Sequence, residues 1–312
     1  MTTGAADHHR ILARAKAWRG APMALATVIE TWRSAPCPVG THMLVCADGQ
    51  FVGSVSGGCV EGDVLRLAAD MIAQNSFAIR RYGVADGSAW EVGLPCGGDI
   101  VVLVQNVGPD YFPERLFGEI ASASAAGQSL LIGTNTATGA SDIVAEPSDG
   151  MFINRYLPPR RLIIVGAVEI AAALADIAQS LGVDVAIVDP RAAFLTKERF
   201  PGLKLDDRWP DEAIAALQPD ARTAIVTLSH DPKIDDPALV AALASPAAYV
   251  AALGSKASHA KRLERLKAAG VPVDQLVRIE GPAGVAINAI SAPEIALSIA
   301  SGMVRAFNDG LR

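Results

Sequence analysis

The chain is 312 residues long, 51% hydrophobic, 19% charged and 5% aromatic, a composition that describes a soluble globular protein with small aliphatic core residues and room for two domains. A net charge of −6 excludes nucleic acid as the partner, because a phosphate backbone is held by clustered Lys and Arg that displace counterions. The first ten residues include Asp7, His8, His9 and Arg10 without an apolar run, and the apolar stretch 162–178 is broken by Glu169 and Asp176. Neither a secretory signal nor a membrane span is expected, and the cytoplasm is the expected compartment.

In chain order, a helix is predicted over Ile11 to Trp18, then a polar break at Gly20 to Pro22 and a β-prone run from Met23 to Ile29. Met43 to Cys46 and Phe51-Val52 flank Ala47-Asp48-Gly49 as a hairpin. From Glu61 to Gln74 the apolar residues Val64, Leu65, Leu67, Ala68, Met71 and Ile72 recur at helical spacing, directly after a glycine-rich turn. Ile100 to Val104 reads as a strand and Pro113 to Ala126 as a helix. Residues 1–150 are thus expected to form a mixed α+β domain. The stiff, polar segment 151–160, with Pro158-Pro159, is expected to be a linker. From 161 to 312 strands and helices alternate, which implies a Rossmann-like doubly wound parallel sheet with right-handed crossovers.

A dinucleotide-binding turn uses one glycine for the bend, a second for approach of the pyrophosphate and a small third residue for helix packing. Here the matching stretch is Val165-Gly166-Ala167-Val168-Glu169-Ile170-Ala171. Val168 stands at the middle glycine, and Glu169 places negative charge where a helix N-terminus attracts anions, so dinucleotide affinity is expected to be weak or absent. Asp189, 23 residues after Gly166, is placed to accept from ribose hydroxyls, and Arg191 to contact a phosphate. Three further polar loops, Ser229-His230-Asp231-Pro232-Lys233, Gly254-Ser255-Lys256 and Gly281-Pro282-Ala283-Gly284, are expected at the same sheet edge. His230 and Asp231 are therefore candidates for a nucleotide or second-ligand site, with an Asp-capped turn as the alternative. The basic run 259–267 is expected to be a solvated helix face.

All four cysteines, Cys37, Cys46, Cys59 and Cys96, fall in the first third and none forms a CxxC, so free thiols are expected rather than a structural zinc site. Two of them are flanked by glycines, in Val52-Gly53-Ser54-Val55-Ser56-Gly57-Gly58-Cys59-Val60-Glu61 and in Gly93-Leu94-Pro95-Cys96-Gly97-Gly98-Asp99. Glycines let backbone N–H groups turn toward an oxyanion, and a cysteine in such a loop can ligate a soft metal or carry sulfur. Burial as an ordinary core residue is the alternative.

These two elements, together with Ser34-Ala35-Pro36, Gly40, Val188-Asp189-Pro190-Arg191, His230-Asp231-Pro232-Lys233, Leu253-Gly254-Ser255, Gly281-Pro282 and Pro293-Glu294-Ile295-Ala296, resemble the XdhC/CoxI family of xanthine dehydrogenase accessory proteins across nearly the whole chain. The resemblance implies a non-catalytic chaperone that binds and protects the molybdenum cofactor, assists its sulfuration with a cysteine desulfurase, and delivers it to the apoenzyme of a molybdenum hydroxylase. It implies Cys96 as the first candidate thiol and molybdenum contact and Cys59 as the second. Ser56, Gly57, Gly58, Glu61, Gly97 and Gly98 complete the cofactor segments, whose glycines receive the pterin phosphate, and a homodimer is the implied assembly. Two departures stand out. The family's G-A-G-H turn is Gly166-Ala167-Val168-Glu169 here, and its G-P-I-G-L-D-I-G segment is Gly281-Pro282-Ala283-Gly284-Val285-Ala286-Ile287-Asn288. The alternatives are an NAD(P)-dependent oxidoreductase using Gly166, Asp189 and His230, and a scaffold that docks a partner without a small molecule.

Overall fold

A computed structural model describes residues 5–83 and 98–309, and the chain divides into two compact units at Pro158/Pro159. The first unit runs through α1 (Ala5–Ala17), β1 (Met23–Trp32), β2 (His42–Cys46), β3 (Phe51–Gly53), α2 (Glu61–Gln74), β4 (Phe77–Tyr82), β5 (Asp99–Asn106), α3 (Arg115–Ala125), β6 (Leu130–Asn135), β7 (Ser141–Ile143) and β8 (Met151–Tyr156). Five strands form an antiparallel sheet in the order β3-β2-β1-β5-β4, and the other three a small sheet in the order β7-β6-β8. The expected hairpin is present, with Leu44 opposite Val52.

Because side chains alternate across a strand, β1 divides its residues between two cores. Ala24, Ala26 and Val28 pack with Val64, Leu67, Ala68 and Met71 of α2. Met23 and Leu25 face the other way, onto Ile11 and Ala15 of α1 and Leu116, Phe117 and Ile120 of α3. Each large aliphatic side chain buried in these layers contributes about 1.5–3 kcal/mol, which is why both faces of a central strand can be apolar. The register of β1 against β5 slips between Val28 and Glu30, so Ile29 is the extra residue of a bulge.

The segment expected to link the domains differs from the expectation: Met151–Tyr156 is strand β8, paired antiparallel with β6 from Leu130↔Tyr156 to Asn135↔Met151. Pairing across that separation in sequence overrides the local signal of the two prolines that follow.

The second unit contains β9 (Arg160–Val165), α4 (Glu169–Ser180), β10 (Val183–Val188), β11 (Lys204–Asp206), α5 (Pro210–Leu217), β12 (Thr223–Thr227), α6 (Pro232–Leu243), β13 (Tyr249–Ala252), α7 (Lys256–Ala268), α8 (Val273–Leu276), β14 (Ile279–Glu280) and α9 (Ala292–Asp309). Its sheet is parallel, in the order β11-β10-β9-β12-β13-β14, the strand order of a doubly wound Rossmann fold. Leu162 and Ile164 of β9 face α4 and α9, while Ile163 and Val165 face α5 and α6. Strands buried on both faces read as continuous apolar runs, as these do.

Candidate functional site

The glycine-rich loop of the first unit connects β3 to α2. It begins at Gly53, whose φ is +86° and where a Cβ would lie 2.3 Å from the His42 carbonyl oxygen, so only glycine fits. Gly57 and Gly58, with φ of +74° and +118°, then turn the chain back toward the helix. At its centre is the Glu61 carboxylate. It accepts the N–H groups of Val55 at 3.1 Å, Ser56 at 2.9 Å and Gly58 at 2.8 Å, and the hydroxyls of Ser54 and Ser56. The Ser54 hydroxyl in turn accepts from Gly57 N at 2.8 Å, and that of Ser56 from Cys59 N at 3.0 Å and Val60 N at 2.9 Å.

Every backbone N–H from Val55 to Val60 is therefore taken by a side chain of the loop itself. Burial pushes the Glu61 carboxyl up, but hydrogen bonds from Ser54 and Ser56 outweigh it and hold the group at about 2. The anion in this loop is the protein's own. The glycine backbone here, expected to receive the pterin phosphate, donates in this structure to Glu61, Ser54 and Ser56. What the loop offers outward is Cys59, which is exposed, while Val55, Ser56 and Val60 beneath it are buried.

Ser34-Ala35-Pro36 lies beside both Gly57 and Gly98. A Cβ on Gly98 would lie 2.7 Å from the Ser34 carbonyl oxygen and 3.1 Å from Ala35 N, and one on Gly57 would lie 3.9 Å from Pro36 Cβ. The Gly57–Cys59 turn and Gly98 thus flank one tripeptide, and Gly98 must be glycine for its backbone to approach so closely. Cys96 and Gly97 lie outside the described residues. Beside Gly98, Asp99 pairs with Trp32 across β1 and β5, and a cleft of about 250 Å³ is lined by Glu30, Thr31, Trp32, Arg81, Asp99 and Val101. Trp32 is 66% exposed. Motif reasoning misses it, although a tryptophan closing a strand next to the Ser34-Ala35-Pro36 turn is a usable signal. Among the described residues no cluster of three or more His, Cys, Asp or Glu could hold a metal ion.

In the second unit, Gly166 ends β9 with φ +106°, and a Cβ there would lie 2.7 Å from Ser229 N. Two N–H groups of the following turn are taken within the protein. Ala167 N donates to the Asp189 carboxylate at 2.8 Å and Val168 N to the Gly166 carbonyl at 2.9 Å. Asp189 is fully buried and also accepts Arg191 N and Nε at 2.9 Å and Nη2 at 2.7 Å. Burial raises the Asp189 carboxyl, but Arg191 and the Ala167 N–H overcome this and keep it below its ordinary value. Asp189 and Arg191, expected to meet a ribose and a phosphate, are bonded to each other in this structure. Asp231 is an N-cap of α6, accepting from Lys233 N at 2.9 Å, which is the capped-turn alternative for this loop. His230 is exposed, in a left-handed conformation with φ +62°.

Two family models match the chain, that of the XdhC and CoxI family over residues 17–83 and that of the XdhC Rossmann domain over residues 162–303. The chain is 30% identical over 304 residues to the molybdenum cofactor insertion chaperone PaoD of Escherichia coli (strain K12), covering 94% of this chain and 87% of that protein. It is 25% identical to a probable xanthine dehydrogenase subunit of Bacillus subtilis (strain 168), covering 90% of this chain and 92% of that one. A crystal structure of a xanthine dehydrogenase from Bacillus halodurans shares the fold with a TM-score of 0.82 at 24% identity, over 99% of this chain and 96% of that chain. The chain belongs to the XdhC and CoxI family of xanthine dehydrogenase accessory proteins.

Proposed function

We propose that this protein is a molybdenum cofactor chaperone that receives the cofactor on its first unit, protects it, assists its sulfuration together with a cysteine desulfurase, and passes it to a molybdenum hydroxylase apoenzyme of the xanthine dehydrogenase type. The reading is supported by the relationship to an insertion chaperone and carried by one structural observation. The Glu61-centred loop holds an exposed Cys59 thiol on a backbone whose N–H groups from Val55 to Val60 are all taken by its own side chains.

The division of labour differs from that implied by the resemblance alone. Cys59 and Cys96 are the thiols assigned to the molybdenum end, as a soft metal and sulfur transfer require. Ser56, Gly57, Gly58 and Glu61 fix the loop that presents Cys59, and Gly98 packs against Ser34-Ala35. Exposed Trp32 supplies a flat face suited to the pterin ring. Delivery suits such a site, because a thiolate that holds the cargo can also release it to a partner with a fuller ligand set.

The test is the pterin content of protein purified from cells that make the cofactor, read by fluorescence after oxidation. Wild type is expected to carry pterin, and Cys59→Ala and Cys96→Ala to lose most of it. Retention of wild-type pterin by both variants contradicts the assignment.

A further inference from the structure

Arg262 lies on α7, within the basic run that the sequence suggests is a solvated face, yet it is only 4% exposed. A guanidinium carries five N–H donors and stays charged. One Nη2 donor reaches the Leu253 carbonyl at 2.7 Å. Asp235 Oδ2 is 4.0 Å away, too far for a hydrogen bond. Nε and Nη1 are sealed from solvent with no partner. One turn earlier on the same helix, His259 Nδ1 is also buried without a partner. Its ring lies so close to Gly281 that a Cβ there would fall 2.1 Å from Nδ1.

These orphaned groups sit together at one place in the fold. β13 and β14 pair in parallel through Ala251↔Glu280, and Ala283 N donates to the Ala252 carbonyl at 3.1 Å, so the turns after the two strands are neighbours at the carboxyl edge of the sheet. A Cβ on Gly254 would lie 3.7 Å from Arg262 Nη2 and 3.3 Å from Ser258 Cβ. The guanidinium is thus one side-chain layer beneath the exposed Ser255 and Ser258, whose hydroxyls are 3.0 Å apart. Ser255 also caps the N-terminus of α7 by accepting from Ser258 N. Ligands of open parallel sheets bind at this edge.

A buried guanidinium with idle donors is costly, because its N–H groups have left water without an acceptor. Asp235 lies 4.0 Å from Nη2 and Asp236 adds to the field, but neither supplies an acceptor to Nε or Nη1. A phosphate answers this need, supplying paired acceptors for the planar fork. We propose that the edge formed by Gly254-Ser255 and Gly281-Pro282 is an oxyanion site, where Arg262 and His259 receive a phosphate group beneath the Gly254–Ser258 turn. The site is distinct from the Gly166 turn, where Asp189 takes the Ala167 N–H, and it involves the second unit alone, so it stands or falls independently of cofactor binding by the first.

The test is isothermal titration of the full chain with inorganic phosphate, pyrophosphate and ADP. Saturable binding of at least one is expected, lost in Arg262→Met and weakened about tenfold or more in Arg262→Lys, which keeps the charge but not the fork. Binding of inorganic phosphate identifies a free oxyanion as sufficient, whereas binding of ADP alone identifies the phosphate of a nucleotide. Should Arg262→Met fold poorly, wild-type protein labelled with ¹⁵N-arginine provides the second readout, a shift of the Arg262 Nε–H resonance on adding the ligand that binds. Absence of binding by all three, unchanged binding in Arg262→Met, or an unmoved Nε–H resonance overturns the site.

Discussion

The loop at Gly57-Gly58 and the turn at Gly166 are built alike, each a glycine bend between a strand and a helix in which an acidic side chain of the same chain accepts backbone N–H groups. Glu61 fills the first and Asp189 the second. They differ in what is left over. Around Glu61 the hydrogen bonds close completely and an exposed thiol projects from the finished loop. Around Asp189 they close on Arg191, and nothing reactive projects. A glycine-rich turn before a helix is thus a place where an anion is needed, and the chain itself can provide it.

The comparison breaks most visibly at Glu61. Glu61→Ala removes the acceptor for three backbone N–H groups and two hydroxyls, and unfolding free energy is expected to fall by about 3 kcal/mol or more in urea titrations, with loss of pterin. Cys59→Ala, by contrast, leaves stability within about 0.5 kcal/mol while losing the cargo. At the second turn Asp189→Asn costs less, about 2 kcal/mol, because Arg191 is partly exposed and water can replace its partner. If Asp189→Asn proved as damaging as Glu61→Ala, the contrast between the two turns would be wrong.

Acid sharpens the comparison further, because the first unit holds buried histidines. His42 bonds to Thr27 Oγ1 at 2.9 Å and to the Tyr156 hydroxyl at 2.8 Å. Burial, and then its neighbour His8, lowers it to about 3; burial, and then His9, lowers His8 to about 4. The unfolded chain therefore takes up protons first as the pH falls below the ordinary histidine value of 6.5. Stability is full above that pH and declines toward pH 4, by up to about 1.4 kcal/mol per pH unit for each histidine. Glu61, held at about 2 against an ordinary 4.5, adds a further loss below pH 4.5. Urea midpoints measured from pH 7 to pH 4 check this, and a flat profile contradicts it. The smallest expected effect is that of NAD or NADP at millimolar concentration, which should leave the melting temperature unchanged. A ligand at 100 times its Kd would instead stabilise by about 2.7 kcal/mol.

Much of the fold was legible because it is written in local periodicity: the β2–β3 hairpin, the apolar stripe of α2 and the strand–helix alternation that gives the parallel sheet. β8 was not, since Pro158-Pro159 marks a break locally while the strand before it is defined by β6, a partner distant in sequence. Site chemistry was legible only as residue types. The cysteines and glycines stood out, but Glu61 read as the first residue of a helix, and its five bonds exist only once the loop has folded back over it. Arg262 was hidden by its neighbours, because four Lys and Arg between 261 and 267 suggest solvent. The burial of Arg262 and Leu266, one helical turn apart on the same face, is decided by the sheet beneath.

The most direct test of the central claim is pterin content measured alongside unfolding midpoint for wild type, Cys59→Ala and Cys96→Ala. Midpoints unchanged in Cys59→Ala, with pterin reduced at least about tenfold in both variants, are predicted. Full pterin retention in both variants at an unchanged midpoint would contradict the claim that the glycine-flanked cysteines hold the cofactor.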